Sequence, residues 1–407
     1  MPPPESAIDH DRHADRTRRE LLATLGAGLF TNGVWDMLSV VVPLYAVAVG
    51  LNAAEIGLIV AARSVLPAVL SIHGGILMDQ LGTRRVLLWV ATASAALPLL
   101  YPVSNWFSVL VVLQLLLGLA SSLGMAASQT WSMQTSHGNT AMLARYSVAT
   151  RIGTFIGPVA VGAAWDLFGA WAAFACVSLC GTGIILTTLR GATDASLQPS
   201  QPIASIRAVL LPRWELHKQA LLLAAVPAVA FILAASFLRN SAGAIQSSLY
   251  IVYLNGIGMS GTLIGILVAV AELSGVLGSL VAAPVERRLR ANKLVILCIM
   301  VSLVCIAITP LIAPMLILLI VACILRGIAQ GMSQPLMYSI LSHEVPGNRH
   351  GSSVGLRNAV VRLGSIITPA AMGAIAEVYG IKASFYVIGA LFLLATAGLA
   401  LAGRKIR

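Results

Sequence analysis

Charge is what this sequence has least of. Only 10% of its 407 residues are charged, while 58% are hydrophobic. A soluble domain carries roughly 25% charged residues, so these few cannot coat a water-facing surface of this size and lipid must solvate the chain. Acidic residues are the scarcer sign, 15 against 26 lysines and arginines. The basic excess stands in short clusters between long apolar runs, which fits membrane orientation and argues against a nucleic-acid surface. Cysteine is scarce as well. Cys176, Cys180, Cys298, Cys305 and Cys323 all lie inside apolar runs without C-x-x-C spacing, so they read as small core residues with no metal or redox role. No nucleophile–base pairing, His–Glu metal motif, ATP-binding loop or signalling domain stands out, so the expectation is a non-enzyme without a cofactor. Residues 1–19 are polar and Pro-rich with no hydrophobic core; they read as a disordered cytoplasmic tail and not a signal peptide. His10 and His13 in that tail read as solvated rather than metal-binding.

What the chain does have is apolar length. A membrane-spanning helix needs ~20 apolar residues. Runs at 21–50, 55–77, 86–104, 106–132, 143–165 and 170–190 are followed by runs at 219–254, 261–283, 293–312, 315–341, 353–376 and 382–402. They predict an all-α integral membrane fold of twelve transmembrane helices in two six-helix bundles, 20–190 and 218–403. A cytoplasmic linker, 191–217, joins the bundles and carries Pro199, Pro202 and Pro212, and 404–407 form a short cytoplasmic end. An even number of spans puts both termini on one side. With that side cytoplasmic, every lysine and arginine outside mid-span falls inside the cell except Lys382, from Arg12 through Arg145, Arg190, Arg287 and Arg357 to Arg407.

The two bundles repeat. Segment 145–169 lies over 356–380 and pairs Arg151 with Arg362, Gly153 with Gly364, Pro158 with Pro369 and Gly169 with Gly380. Earlier in each half Asn32, Tyr45 and Gly57 meet Asn240, Tyr253 and Gly265. Parallel repeats of this kind place a binding site at mid-membrane between the halves.

Between the second and third runs stands Gly75-Ile-Leu-Met-Asp79-Gln-Leu-Gly82-Thr-Arg84-Arg85. It resembles the G-x-L-x-D-x-x-G-x-R-R/K signature of the major facilitator superfamily in its cytoplasmic loop 2–3, where it would act as a gating latch between the halves. The matching loop of the second half, Glu286-Arg287-Arg288-Leu-Arg290, keeps the charge but not the pattern. Span five carries Gly153-x-x-x-Gly157-Pro158-x-x-x-Gly162. This looks like the G-x-x-x-G-P motif of the superfamily's proton-coupled exporters, the twelve-span drug/proton antiporter group. The plainer reading is a small-residue packing face.

Charges at mid-span are costly, at least ~2.5–3.5 kcal/mol each, and by default face the protein interior. Asp36, Arg63, Arg151, Arg239, Glu272, Arg326 and Arg362 are such charges. They fall in spans 1, 2, 5, 7, 8, 10 and 11, and none in the spans that the family resemblance makes lipid-facing supports. Helical spacing sets Arg326, Gln330 and Gln334 on one face, as it does Asn32, Asp36 and Ser39, and Arg239, Gln246 and Tyr250. By resemblance spans 1, 4, 7 and 10 line a central cavity; span four offers only uncharged candidates such as Ser121, Ser128 and Gln129. Arg63, Arg151 and Arg362 sit near the seams between halves and read either as structural interface charges or as functional ones; Arg151 is expected to pair with Glu272. An excess of arginine in the cavity favours an organic anion or zwitterion. Arginine cannot release its proton, so Asp36 and Glu272 are the candidate proton carriers. The expectation is a proton-coupled transporter in the cell (inner) membrane, driven by the proton gradient and exporting a small amphipathic organic compound by alternating access. Its partners would be lipid, substrate and protons, with no nucleic acid and a monomeric state. An importer or uniporter of a small organic anion is the alternative.

Overall fold

The computed structural model describes residues 5–136, 139–191, 226–288, 290–344 and 350–403, and holds helices and no strand among them. In lipid every backbone polar group must be satisfied within the protein, which leaves helices as the local solution for runs this apolar. The first half holds α1 (Glu5–Ala48), α2 (Ala53–Leu81), α3 (Thr83–Ala96), α4 (Phe107–Ser136) and α5 (Thr140–Arg190). The second holds α6 (Pro227–Gln246), α7 (Leu249–Gly256), α8 (Gly261–Glu286), α9 (Ala291–Ala307), the single turn α10 (Thr309–Ile312), α11 (Leu316–Glu344), α12 (His350–Tyr379) and α13 (Ile381–Gly403). Among the described residues 9 stretches are long and apolar enough to cross a membrane, and Ala291–Ala307 is a shorter apolar helix.

Residues 5–19 are helical, continuous with α1, where the sequence reading expects a disordered tail. Past Pro4 the segment holds no proline or glycine before Gly26, so nothing breaks the helix as it leaves the apolar run. Residues 192–225, most of the expected linker, and 404–407 lie outside the described residues.

The repeat seen in the sequence is built into the start and end of corresponding helices. Asn52 begins α2 with a reciprocal cap, its side chain accepting from the Glu55 N–H at 2.8 Å while Glu55 accepts from the Asn52 N–H at 3.0 Å. Ser260 begins α8 by accepting from the Leu263 N–H at 3.2 Å. Tyr45 donates to the Ser104 carbonyl at 3.2 Å, and its counterpart Tyr253 donates to the Pro310 carbonyl at 3.3 Å. Gly169 interrupts α5 at φ 78°, and Gly380 separates α12 from α13 at φ 83°. Only glycine takes this conformation without a steric cost, so one residue turns the chain at each place.

The halves meet along two symmetric seams. On one, Gly57 of α2 lies against the Pro369 carbonyl and Gly373 of α12. On the other, Gly265 of α8 lies against the Pro158 carbonyl of α5, and Gly162 against Gly261. Gly153 and Gly157 meanwhile face Leu29 and Gly33 of α1. The whole Gly153–Gly162 stripe is therefore a packing surface with two partners, where small residues let backbones touch.

A carboxylate closes each seam. Asp166, near the turn in α5, accepts from the Gly261 and Thr262 N–H groups at 2.7 Å each and from the Thr262 hydroxyl at 2.5 Å. Glu377, near the end of α12, accepts from the Ala53 N–H at 3.1 Å. Each half thus caps the N-terminus of a helix in the other, and the negative charge suits the positive end of the helix dipole. We call this the capped end of the bundle. A cap of this type contributes about 0.5–2 kcal/mol. Replacing Asp166 and Glu377 together by alanine should therefore loosen the seams. Spin labels placed on α2 and α12 at the capped end should report a broader distance distribution, and an unchanged one would show the caps to be passive.

Candidate functional site

Beyond the seams the two halves part around a cavity of about 350 Å³. It begins at Ala271, ten residues and about 15 Å along α8 from the capped end. Arg239 and Gln246 of α6, Glu272 of α8, and Arg326, Gln330 and Gln334 of α11 line it from the second half. Arg151 of α5 lines it from the first. Gly275, Gly327 and Gly331 form a smooth wall where α8 and α11 touch.

The arginines are held differently. Arg239 is tied down: Nε donates to the Ser333 hydroxyl at 2.8 Å, and one terminal nitrogen donates to the Gln330 carbonyl at 2.9 Å and Gln334 Oε1 at 3.0 Å. Arg326 is only 2% exposed, and both of its terminal nitrogens are buried with no hydrogen-bond partner. The Nε2 groups of Gln246 and Gln330 are buried and unpartnered too. Arg326 lies 5.8 Å from the centre of the Tyr250 ring, a cation–π contact at the edge of its range. Burying donors without acceptors is expensive, so this wall is built for something that brings acceptors.

Asp36 does not line the cavity. It is partly buried, in electrostatic contact with Glu272, Arg63 and Arg151 and near Thr154. The two membrane carboxylates, Asp36 from α1 and Glu272 from α8, therefore interact electrostatically across the junction of the halves. Glu272 also acts electrostatically on Arg239. The expected Glu272–Arg151 ion pair is absent: both side chains are described, both line the cavity, and neither pairs directly. Arg151 is exposed and stands in the cavity wall, where it acts on Asp36 instead.

Arg63 and Arg362 converge on Trp35. The Arg63 guanidinium lies 3.6 Å above the ring and donates to the Trp35 carbonyl. Arg362 reaches from α12 to within 5.4 Å of the same ring and donates to the Ser122 hydroxyl of α4 at 3.0 Å. Arg63 thus braces one half internally, while Arg362 crosses between halves.

Several expected cavity residues lie elsewhere. Asn32 donates to the Gly28 carbonyl of its own helix at 2.8 Å, and Ser39 to the Asp36 carbonyl at 2.6 Å. Tyr250 is buried against Cys323, its hydroxyl 3.3 Å from the sulfur. The reason is a break in the helix: α6 ends at Gln246 and α7 starts at Leu249, with Ser248 at φ −136°, ψ −111°. The helical spacing that joins Arg239 to Gln246, seven residues on, does not carry through that break to Tyr250.

Arg357, placed by the sequence among the cytoplasmic charges, is 3% exposed. It donates to Ser236 at 2.9 Å and to the Tyr338 hydroxyl at 3.0 Å, and Tyr338 lines the cavity. Of the loop motif, the side chains of Gly75 and Asp79 lie outside the described residues. Gly82 joins α2 to α3 at φ 88°, and Arg85 is exposed. Arg84 donates to the Thr188 and Leu189 carbonyls at 3.0 Å each, holding the end of α5 in its own half. No His/Cys/Asp/Glu group suited to a metal occurs among the described residues.

Known proteins share this arrangement in shape more than in sequence. No curated protein sequence matches the chain significantly. Among solved structures, a mutant of the nucleoside transporter NupG superposes with TM-score 0.78 at 16% identity, covering 94% of this chain and 98% of its own. A bacterial homolog of the human lysosomal transporter Spinster, in an inward-facing and unoccupied conformation, gives 0.75 at 14%, covering 96% and 97%. A POT family transporter in complex with a thioalcohol-conjugated peptide gives 0.74 at 12%, covering 95% and 96%. The sequence model of the Major Facilitator Superfamily matches residues 24–241 and again 232–405, once over each repeated half. The duplicated all-helical fold and the match along nearly the whole chain give one conclusion: this is a multi-pass membrane transporter, not an enzyme, and it belongs to the Major Facilitator Superfamily.

Proposed function

We propose that the chain is a proton-coupled secondary transporter with twelve spans, exporting a small anionic or zwitterionic amphipathic compound across the cell membrane. Both termini are cytoplasmic, and the capped end faces outward. In this assignment the cavity opens toward the cytoplasm, and the Asp166 and Glu377 caps close the outer side. The observation that carries the reading is the charge arrangement: arginine and amide donors on the cavity wall, with Glu272 in that wall and Asp36 in electrostatic contact with it. Two carboxylates in a low-dielectric site are the groups that can exchange a proton; the arginines hold their charge throughout. Substrate and proton then compete for one electrostatic environment. A proton entering from outside neutralises the carboxylate that would hold a zwitterion's cationic end, and so links release to the gradient. The halves rock about the glycine seams, and no cofactor or nucleic acid is required.

Export is supported by the likeness of the Gly153–Gly162 stripe to the exporter motif, although its glycines also serve packing. Membrane vesicles provide the test. Inverted vesicles with an acidic interior should accumulate a transported organic anion, and a protonophore should abolish the accumulation. Accumulation by right-side-out vesicles alone would establish the importer, and insensitivity to the protonophore would establish the uniporter.

A further inference from the structure

The cavity's unpartnered donors differ in number and shape from those of a general anion pocket. Arg326 presents both terminal nitrogens on one planar edge, and a planar edge of that kind matches the two oxygens of a carboxylate side by side. Gln246 Nε2 comes from α6, and Gln330 stands one turn along α11 from Arg326, so two unpartnered amide donors belong to the same cavity wall as the guanidinium. A carboxylate oxygen already taking one guanidinium hydrogen has a lone pair left for such an amide. The neighbouring Arg239 is committed to Ser333, Gln330 and Gln334 and brings no free fork. Arg151, the remaining guanidinium of the wall, acts on Asp36, so the unpartnered edge of Arg326, 2% exposed, is left to balance one negative charge. A dianionic phosphate or phosphonate would leave a charge and an oxygen unmatched at this depth.

We infer that Arg326, with Gln246 and Gln330, forms a monocarboxylate-binding subsite and sets the substrate class. This deepens the transporter reading and rests on it for the word substrate, but the binding event is separate from direction and coupling. Tyr250 beneath Arg326 is a positioning residue: its ring limits where the guanidinium can lie, while its hydroxyl is engaged with Cys323. The glycine wall of Gly275, Gly327 and Gly331 leaves room for the apolar remainder of the molecule.

The test uses the purified full-length protein in nanodiscs without any gradient, and four probes sharing one skeleton: phenylacetate, phenylmethanesulfonate, benzylphosphonate and phenylacetamide. Phenylacetate should bind tightest by calorimetry, by about tenfold or more over each of the others. Arg326→Lys, which keeps the charge but loses the fork, should weaken phenylacetate by about tenfold and narrow its lead over the sulfonate. Gln246→Met should weaken it by a few-fold without changing the order of the charged probes. Tighter binding of the sulfonate, phosphonate or amide, or no binding of phenylacetate at millimolar concentration, overturns the inference. So does an Arg326→Lys protein that binds phenylacetate as the unaltered protein does. If a variant does not fold, the order of the four probes on the unaltered protein decides. Failure here leaves proton-coupled transport of another solute standing; failure of the vesicle experiment leaves carboxylate binding standing.

Discussion

Asparagine at Asp36 is expected to reduce proton-driven transport to the level of empty liposomes. Exchange of substrate for substrate, without a gradient, should continue. The substitution preserves shape and a side-chain oxygen for Thr154, but removes the group that can take up and give back a proton. Asp36 is not among the residues that line the cavity, so the substitution removes no lining side chain. Its influence runs through Glu272, Arg63 and Arg151, the groups whose electrostatic balance it shares. Glutamine at Glu272 should behave differently, because Glu272 does line the cavity; exchange and binding should change along with coupling. Paired measurements of proton flux and exchange in reconstituted liposomes separate the two. Normal proton coupling in the Asp36→Asn protein would remove Asp36 from the mechanism.

A valine at Gly331 should prevent stable folding. A Cβ there would fall on the Gly275 carbonyl oxygen and within 2.7 Å of the Gly275 Cα, and neither atom belongs to a side chain that could swing away. Overpacking in a core costs about 1–3 kcal/mol when side chains can adjust. Here two helix backbones would have to separate, so the cost should exceed that range. Gly243→Ala makes the control: its Cβ would meet nothing closer than the Gln330 amide at 3.7 Å. Melting of the detergent-solubilised proteins should leave the Gly243→Ala protein near the unaltered one and yield little or no folded Gly331→Val protein. A Gly331→Val protein melting within about 2 °C of the unaltered one would show that α8 and α11 are not in contact.

The fold was legible because lipid enforces simple rules on sequence. Apolar length marked the helices, and repeated Gly and Pro marked the seams: Gly57 with Gly265 and Pro158 with Pro369 are the residues through which the halves touch. The cavity was partly legible for the same reason. Arg326, Gln330 and Gln334 share a face of an unbroken helix, and all three line it. Periodicity failed at Tyr250, where two serines interrupt the helix, and at Asn32, whose side chain satisfies itself on its own backbone. The inward turn of Arg357 was not legible, because position near the end of an apolar run says nothing about which way a long side chain turns. Asp166 and Glu377 were missed because each stands at a helix end, where a carboxylate reads as ordinary solvated charge. Only their correspondence in the two repeats could have singled them out. The Glu272–Arg151 pair was inferred from depth and from the packing of spans five and eight that the family resemblance implies, and neither fixes rotation about a helix axis.

Gly169 and Gly380 carry a practical consequence for anyone mapping this protein in a membrane. At both places the polypeptide passes from one helix to the next through a single residue, and the capping carboxylate stands three positions earlier. Loops are where proteins ordinarily accept inserted sequence, and here there is none to accept it. An epitope or fluorescent reporter spliced in beside either glycine would pull Asp166 or Glu377 off its partner helix, so the tag would report the topology of a protein it had already unlocked.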